Sequence, residues 1–135
     1  MLIEFHLPLL LPLLGRWQRM HWQQRRRCMK TLAEHVAVAV HGRKPSPPLA
    51  RCRISVVRLT RSGEPDHENL VGSLKPLLDV LCAPGRVDAK GHALHPWGLS
   101  IIADDSPAVI GRPEITVGRP GEWPPGTHVT IEAVQ

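Results

Sequence analysis

The sequence predicts an α+β fold: a small mixed β-sheet carrying two main helices, in a single domain spanning residues 1–135. Three observations predict it. Short β-favouring runs with period-two alternation occur near both ends and in the middle of the chain. Two stretches between them carry apolar residues at helical spacing. Fourteen Pro and eleven Gly punctuate the rest, which suits irregular connections better than a helical bundle. At 135 residues there is room for one core. With four Trp, one Phe and no Tyr, that core must be aliphatic.

Taken in order, Leu2–Leu7 alternates as a short strand and Pro8–Gly15 follows as a loop. The stretch from about Trp17 to Val40 reads as one long helix, basic in its first half and Ala/Val-rich from Leu32 onward. Gly42 ends it at a C′ position. Lys44–Leu49 (KPSPPL) is a turn that cannot be helical. Arg51–Arg61 is the clearest strand, with Ile54, Val56, Val57 and Leu59 set among Arg53, Arg58 and Arg61. A turn, Ser62–Pro65, then delivers Asp66. Leu70, Leu74, Leu77, Leu78 and Leu81 form the stripe of a second helix. Pro76 is tolerated there if Ser73 is the N-cap, which leaves Asn69–Gly72 as an irregular lead-in. Ala83–Gly98 reads as a loop, and Leu99–Ala103 as a buried apolar run ending in Asp104–Asp105. Glu114–Gly118 and Thr127–Val134 close the chain as strands.

Charge is unevenly divided. Residues 1–61 hold twelve Lys/Arg against two acids, while residues 62–135 hold five against ten. A basic half attracts phosphate and an acidic half can gather carboxylates around a cation, although solvated charge would give the same imbalance. Cys28, Cys52 and Cys82 are isolated and odd in number, which argues against a disulfide framework and a zinc ribbon and suits a reducing cytoplasm. The apolar start carries Glu4, Pro8 and Pro12, lacks a basic leader region, and is too short to span a bilayer. It is read as part of the mature fold, with no membrane partner.

The chemistry concentrates in Asp66–His67–Glu68–Asn69, Lys75 with Asp79, and Asp104–Asp105. In an extended segment Asp66 and Glu68 project to the same side. Joined by one carboxylate of the Asp104–Asp105 pair, they make a site too negative to stand alone, one that takes up protons or a cation. A hard divalent ion such as Mg²⁺ is the natural occupant, and phosphodiester hydrolysis the natural reaction. The plainer alternative makes Asp66 and Asn69 turn and helix-cap residues, and Asp104–Asp105 a solvated loop.

The run DHENLVGSLKPLLDVL, followed after a loop by GLSIIADDSP, resembles the RusA family of Holliday junction resolvases and their phage-borne relatives. That family has an acidic DxDN-type element, a Lys and an Asp four apart on the next helix, and a late Asp–Asp pair. The basic HWQQRRR stretch (His21–Arg27) also resembles phage members, and the resemblance spans roughly residues 3–134. It implies catalytic and metal-ligating roles for Asp66, Glu68 and Asp105, with Asp104 as a further ligand, Asn69 in support, and Lys75 near the scissile phosphate. It also implies Mg²⁺, with Mn²⁺ as substitute and no organic cofactor, and a homodimer acting on branched DNA in recombination and repair in the cytoplasm. A two-fold dimer matches the symmetry of a four-way junction. Three features depart from the pattern, one of them the unusually long loop at 83–98 that leads into the Asp–Asp pair. Glu68 stands where the motif has Asp, and Lys75 follows Asn69 by six residues rather than three.

Arg16, Arg19, Arg25, Arg26, Arg27 and Lys30 are the candidate DNA contacts, or else a solvated helix face. Trp17 and Trp22 could flank a branch-point base or pack internally. Lys75 and Asp79 stand at i,i+4 and would also suit a simple surface pair. His92 and His95 read as surface histidines rather than zinc ligands, and His67 as facing away from the acids.

Overall fold

Alternation in Leu2–Leu7 puts Ile3, Phe5 and Leu7 on one face of a strand, and all three are buried while Leu2 and Glu4 are exposed. The same rule orders the rest of the computed structural model, which describes residues 1–84, 90 and 96–135. Its elements are β1 (Leu2–Leu7), α1 (Leu14–Arg19), α2 (Trp22–Ala39), β2 (Cys52–Leu59), α3 (His67–Gly72), α4 (Leu74–Leu81), α5 (Pro107–Ile110), β3 (Glu114–Gly118) and β4 (Gly126–Ala133).

The four strands form one mixed sheet in the order β1-β4-β2-β3. β4 runs antiparallel to both neighbours, pairing Phe5 with Val129 on one side and Val56 with Val129 on the other. β3 joins the far edge parallel to β2. The inner face, built from Ile3, Phe5, Leu7, Ile54, Val56, Val129 and Ile131, is sealed from water. α2 supplies Met29, Leu32, Ala33 and Val36 to this core, an i, i+3, i+4, i+7 stripe. α4 supplies Leu74, Pro76, Leu77, Val80 and Leu81. The α+β expectation, with a mixed sheet and two main helices, therefore holds.

Three local expectations are corrected. The long helix expected over Trp17–Val40 is two helices, broken at Met20 and His21, both with extended backbone. The break is held from both sides. The Gln23 N–H donates to His21 Nδ1 at the start of α2, and Arg25 donates to the carbonyls of Trp17 and Gln18 at the end of α1. The expected irregular lead-in at Asn69–Gly72 is helical, as part of α3. Within α4, Val80 is fully buried and Leu78 only half-buried, so the stripe is rotated from the all-leucine one. Pro76 sits in the first turn, where its missing N–H costs no hydrogen bond. Ser73 does precede α4, but its hydroxyl donates back to the Leu70 carbonyl and closes α3 instead.

The run at 99–103 is buried without being a regular strand. The N–H groups of Leu99 and Ile101 donate to the Val80 and Leu81 carbonyls at the end of α4. On its other side Leu49 donates to Ile101, and Ala103 donates to Leu49. Ile101 and Ile102 are fully enclosed, and the chain is thereby led back along α4 to Asp104 and Asp105. Gly72 lets α3 approach α1, since a Cβ there would collide with the Leu14 side chain.

Leu77, on the core-facing side of α4, is fully buried. Leu77→Ala should lower the unfolding free energy in urea by about 2–5 kcal/mol, the usual cost of a cavity left by a core leucine. A change below about 1 kcal/mol would mean that α4 is not seated as described.

Candidate functional site

Asp66 is the N-cap of α3. Its Oδ1 accepts the Asn69 N–H at 2.9 Å and its Oδ2 accepts Asn69 Nδ2–H at 2.9 Å. The backbone and side chain of Asn69, with a smaller contribution from the Glu68 N–H, hold the Asp66 carboxyl below its ordinary value. Asn69 Oδ1 in turn accepts the N–H of Gly15 at 2.9 Å, tying α3 to α1. Asp66 and Glu68 therefore do not alternate along an extended segment as the sequence suggested. One caps a helix and the other lies in its first turn, where negative charge favours the positive helix end.

Lys75, in the first turn of α4, lies between two carboxylates. Its Nζ stands 2.9 Å from Asp79 Oδ1 and 3.3 Å from Asp105 Oδ2. Partial burial works against the ammonium, but hydrogen bonding and Coulomb attraction from Asp79, then Asp105, outweigh it and raise the lysine pKa. The Lys75–Asp79 pair is thus an i,i+4 contact that also captures a residue thirty positions away. Asp104, Asp105 and buried Cys82 form a second layer, with one ligand atom of each within 4.8 Å of the others. None of the three cysteines is in a disulfide.

The structure therefore brings together Lys75, Asp79, Asp104 and Asp105, and leaves Asp66 and Glu68 outside the Cys82–Asp104–Asp105 set. The two aspartates are hard oxygen donors that fit a divalent ion such as Mg²⁺. The Cys82 sulfur does not fit one, because thiolates favour softer metals. Sequence reading missed Cys82. Its signal was only its position one residue past α4, where the 99–103 run returns.

Of the basic residues, Arg25 is committed to the α1 carbonyls and its guanidinium lies 5.7 Å from the Trp17 ring centre. Arg26 stands over Trp97 at 5.2 Å. Arg16, Arg19, Arg27 and Lys30 are exposed, and so is Trp22, whereas Trp17 packs against the core. His92 and His95 lie outside the described residues. A separate open groove of about 540 Å³ is lined by Arg51, Arg53, Arg112, Glu114 and Glu132 among others, and none of the candidate site residues lines it. Among the described residues no helix is long and apolar enough to cross a membrane. No protein-family model matches the chain, and no curated protein or solved structure matches it.

The Asp66 cap makes stability depend on pH with a definite sign. A carboxyl whose folded pKa lies below its unfolded value stabilises the fold above the ordinary value of 3.8 and loses that effect as pH falls through the lowered one. Wild type should therefore melt higher than Asp66→Ala at neutral pH, and the gap should close under strongly acid conditions. A gap that stays constant down to pH 2 would show that the charge of Asp66 is irrelevant to the cap.

Proposed function

We propose that this chain is a Mg²⁺-dependent, structure-selective endodeoxyribonuclease that cuts Holliday junctions and other branched DNA, acting as a homodimer in recombination and repair. The observation that carries this reading is the meeting of Lys75 with Asp105 beside Asp104. The resemblance to the RusA family expects the helix lysine and the late acidic pair to lie at one spot, and Lys75 Nζ stands 3.3 Å from Asp105 Oδ2.

Asp104 and Asp105 would hold a hard divalent ion, which would polarise a phosphoryl oxygen and lower the pKa of an attacking water. Lys75 places a fixed positive charge beside those carboxylates, where a phosphate oxygen would exchange for a carboxylate oxygen as its partner. Asp79 keeps the ammonium in place during that exchange. Asp66 and Glu68, at the exposed start of α3, are assigned as further oxygen donors, with Asn69 fixing the direction of Asp66. Exposed Arg16, Arg19, Arg27 and Lys30 would follow the phosphate backbone, so binding should weaken steeply with salt.

A second reading, a junction-binding protein without catalysis, is favoured by two features. Asp66 and Glu68 stand outside the metal-capable set, and Asp105 already has an ammonium partner. A labelled four-way junction and a matched linear duplex, each incubated with Mg²⁺ or Mn²⁺, separate the two. The nuclease reading expects paired symmetric nicks on the junction alone, absent with Asp105→Asn. Lys75→Met should still bind the junction but cut it at least ~100-fold more slowly, the usual loss when one stabilising charge is removed from a transition state. Binding without cutting in either metal would overturn the nuclease assignment and leave the second reading.

A further inference from the structure

The groove lined by Arg51, Arg53, Arg112, Glu114 and Glu132 lies where the sheet is interrupted. β2 pairs with β4 over Cys52–Leu59, but with β3 only from Ser55 onward. Between the Leu49–Ile102 bridge and β3 the chain leaves the β2 edge, forms α5, and comes back after Gly111 at φ +59°. The Arg51 carbonyl accepts the Val134 N–H, so odd-numbered β2 residues turn their main-chain groups to β4. Cys52 and Ile54 turn theirs into the gap, where neither N–H has an acceptor among the described residues. Unpaired main-chain donors at the floor of a polar groove are satisfied by whatever fills it.

The three arginines are free as well. Arg25, Arg43, Arg58 and Arg119 each donate to main-chain carbonyls. Arg51, Arg53 and Arg112 are exposed, and their guanidinium groups make no hydrogen bond or ion pair among the described residues. Arg51 and Arg53, two residues apart in extended chain, stand on the same face, ~7 Å from each other. Guanidinium groups bind phosphate through paired, charge-assisted hydrogen bonds. The groove also offers acceptors: Glu132 stands opposite Arg53 in the β2–β4 ladder, and Glu114 opens β3 beside Ser55.

We propose that this groove seats one nucleotide of the strand held at the Asp104–Asp105 pair, its phosphate on Arg51, Arg53 and Arg112 and its base toward Glu114 and Glu132. The strand context rests on the nuclease reading, and the nucleotide itself on the groove's lining. A lone anion would lie against two carboxylates, whereas a nucleotide brings phosphate for the guanidinium groups and base donors for the acids. An added peptide strand is a poorer match, because the edge is open only over Cys52–Ile54, shorter than most strands. Pro107, on the groove wall, follows Asp105 by two residues, so the groove adjoins the acidic pair along the chain.

The four deoxynucleoside 5′-monophosphates, titrated into the full chain without divalent metal and followed by NMR, test this. At least one should bind saturably, with shifts centred on the amides of Cys52, Ile54 and Arg112. The matching nucleoside and inorganic phosphate should each bind at least ~10-fold more weakly. The Arg53→Gln/Arg112→Gln variant should lose as much, the usual effect of removing hydrogen bonds to a charged group. Both arginines are exposed, so their replacement leaves the core intact. Arg16→Gln/Arg27→Gln should bind the nucleotide unchanged. No saturable shift, shifts centred elsewhere, or unchanged binding in Arg53→Gln/Arg112→Gln would each overturn the proposal. So would inorganic phosphate binding as tightly as the nucleotides, or a tetra-aspartate peptide binding more tightly. Junction cutting by a chain that binds no nucleotide would overturn this site alone, and nucleotide binding without cutting in Mg²⁺ or Mn²⁺ would overturn the nuclease reading alone.

Discussion

β4 is paired along its whole length by β2 and from Thr127 to Glu132 by β1, and both faces of the sheet are aligned by that double ladder. Its inward residues, Val129 and Ile131, are fully buried at the centre of the core that α2 and α4 close. Its outward residues include His128, which the same register sets against His6. A slip of one residue in β4 would turn His128 into the aliphatic core and Val129 out under Trp123. Hydrophobic burial on one face and the His6–His128 pair on the other are therefore specified by one alignment.

The candidate reaction centre depends on a different device. The 99–103 run has no strand partner of regular length, and its N–H groups are satisfied by the last carbonyls of α4. Helix C-termini leave such carbonyls without intrahelical partners, so the run and the helix end complete each other. Because the run then travels back along α4, it brings Asp105 to Lys75 at the other end of that helix. The acidic pair is thus positioned by backbone hydrogen bonds and two buried isoleucines rather than by the carboxylates themselves.

The strands were legible because each alternates or is rich in β-branched residues: the expected Leu2–Leu7, Glu114–Gly118 and the middle of Arg51–Arg61 all correspond to observed strands. The buried half of α2 was legible through its apolar spacing. The break at Met20–His21 was not, because no Pro or Gly marks it and its cause is a guanidinium reaching back over a turn. Arg25 looked like one more phosphate contact, and side-chain direction is what distinguishes the two uses. At Asp66 an N-cap and an extended acidic segment share the same letters. The cap was the alternative reading, and it describes the local geometry. Strand order, the parallel β2–β3 pair, and the convergence of Cys82 with Asp104 and Asp105 are long-range facts with no local signature.

The hydrogen bond from the Ala133 N–H to the Met1 carbonyl carries a topological consequence. Leu2 pairs with Glu132, so the two ends of the sequence lie side by side and point in opposite directions. A short flexible tether between them would make a hairpin of β1 and β4, and the chain could be reopened in the exposed 61–64 turn. The longest loop closure in the fold would then become its shortest. Since closure of distant contacts slows folding more than it weakens the folded state, such a permuted ring should reach the same architecture sooner.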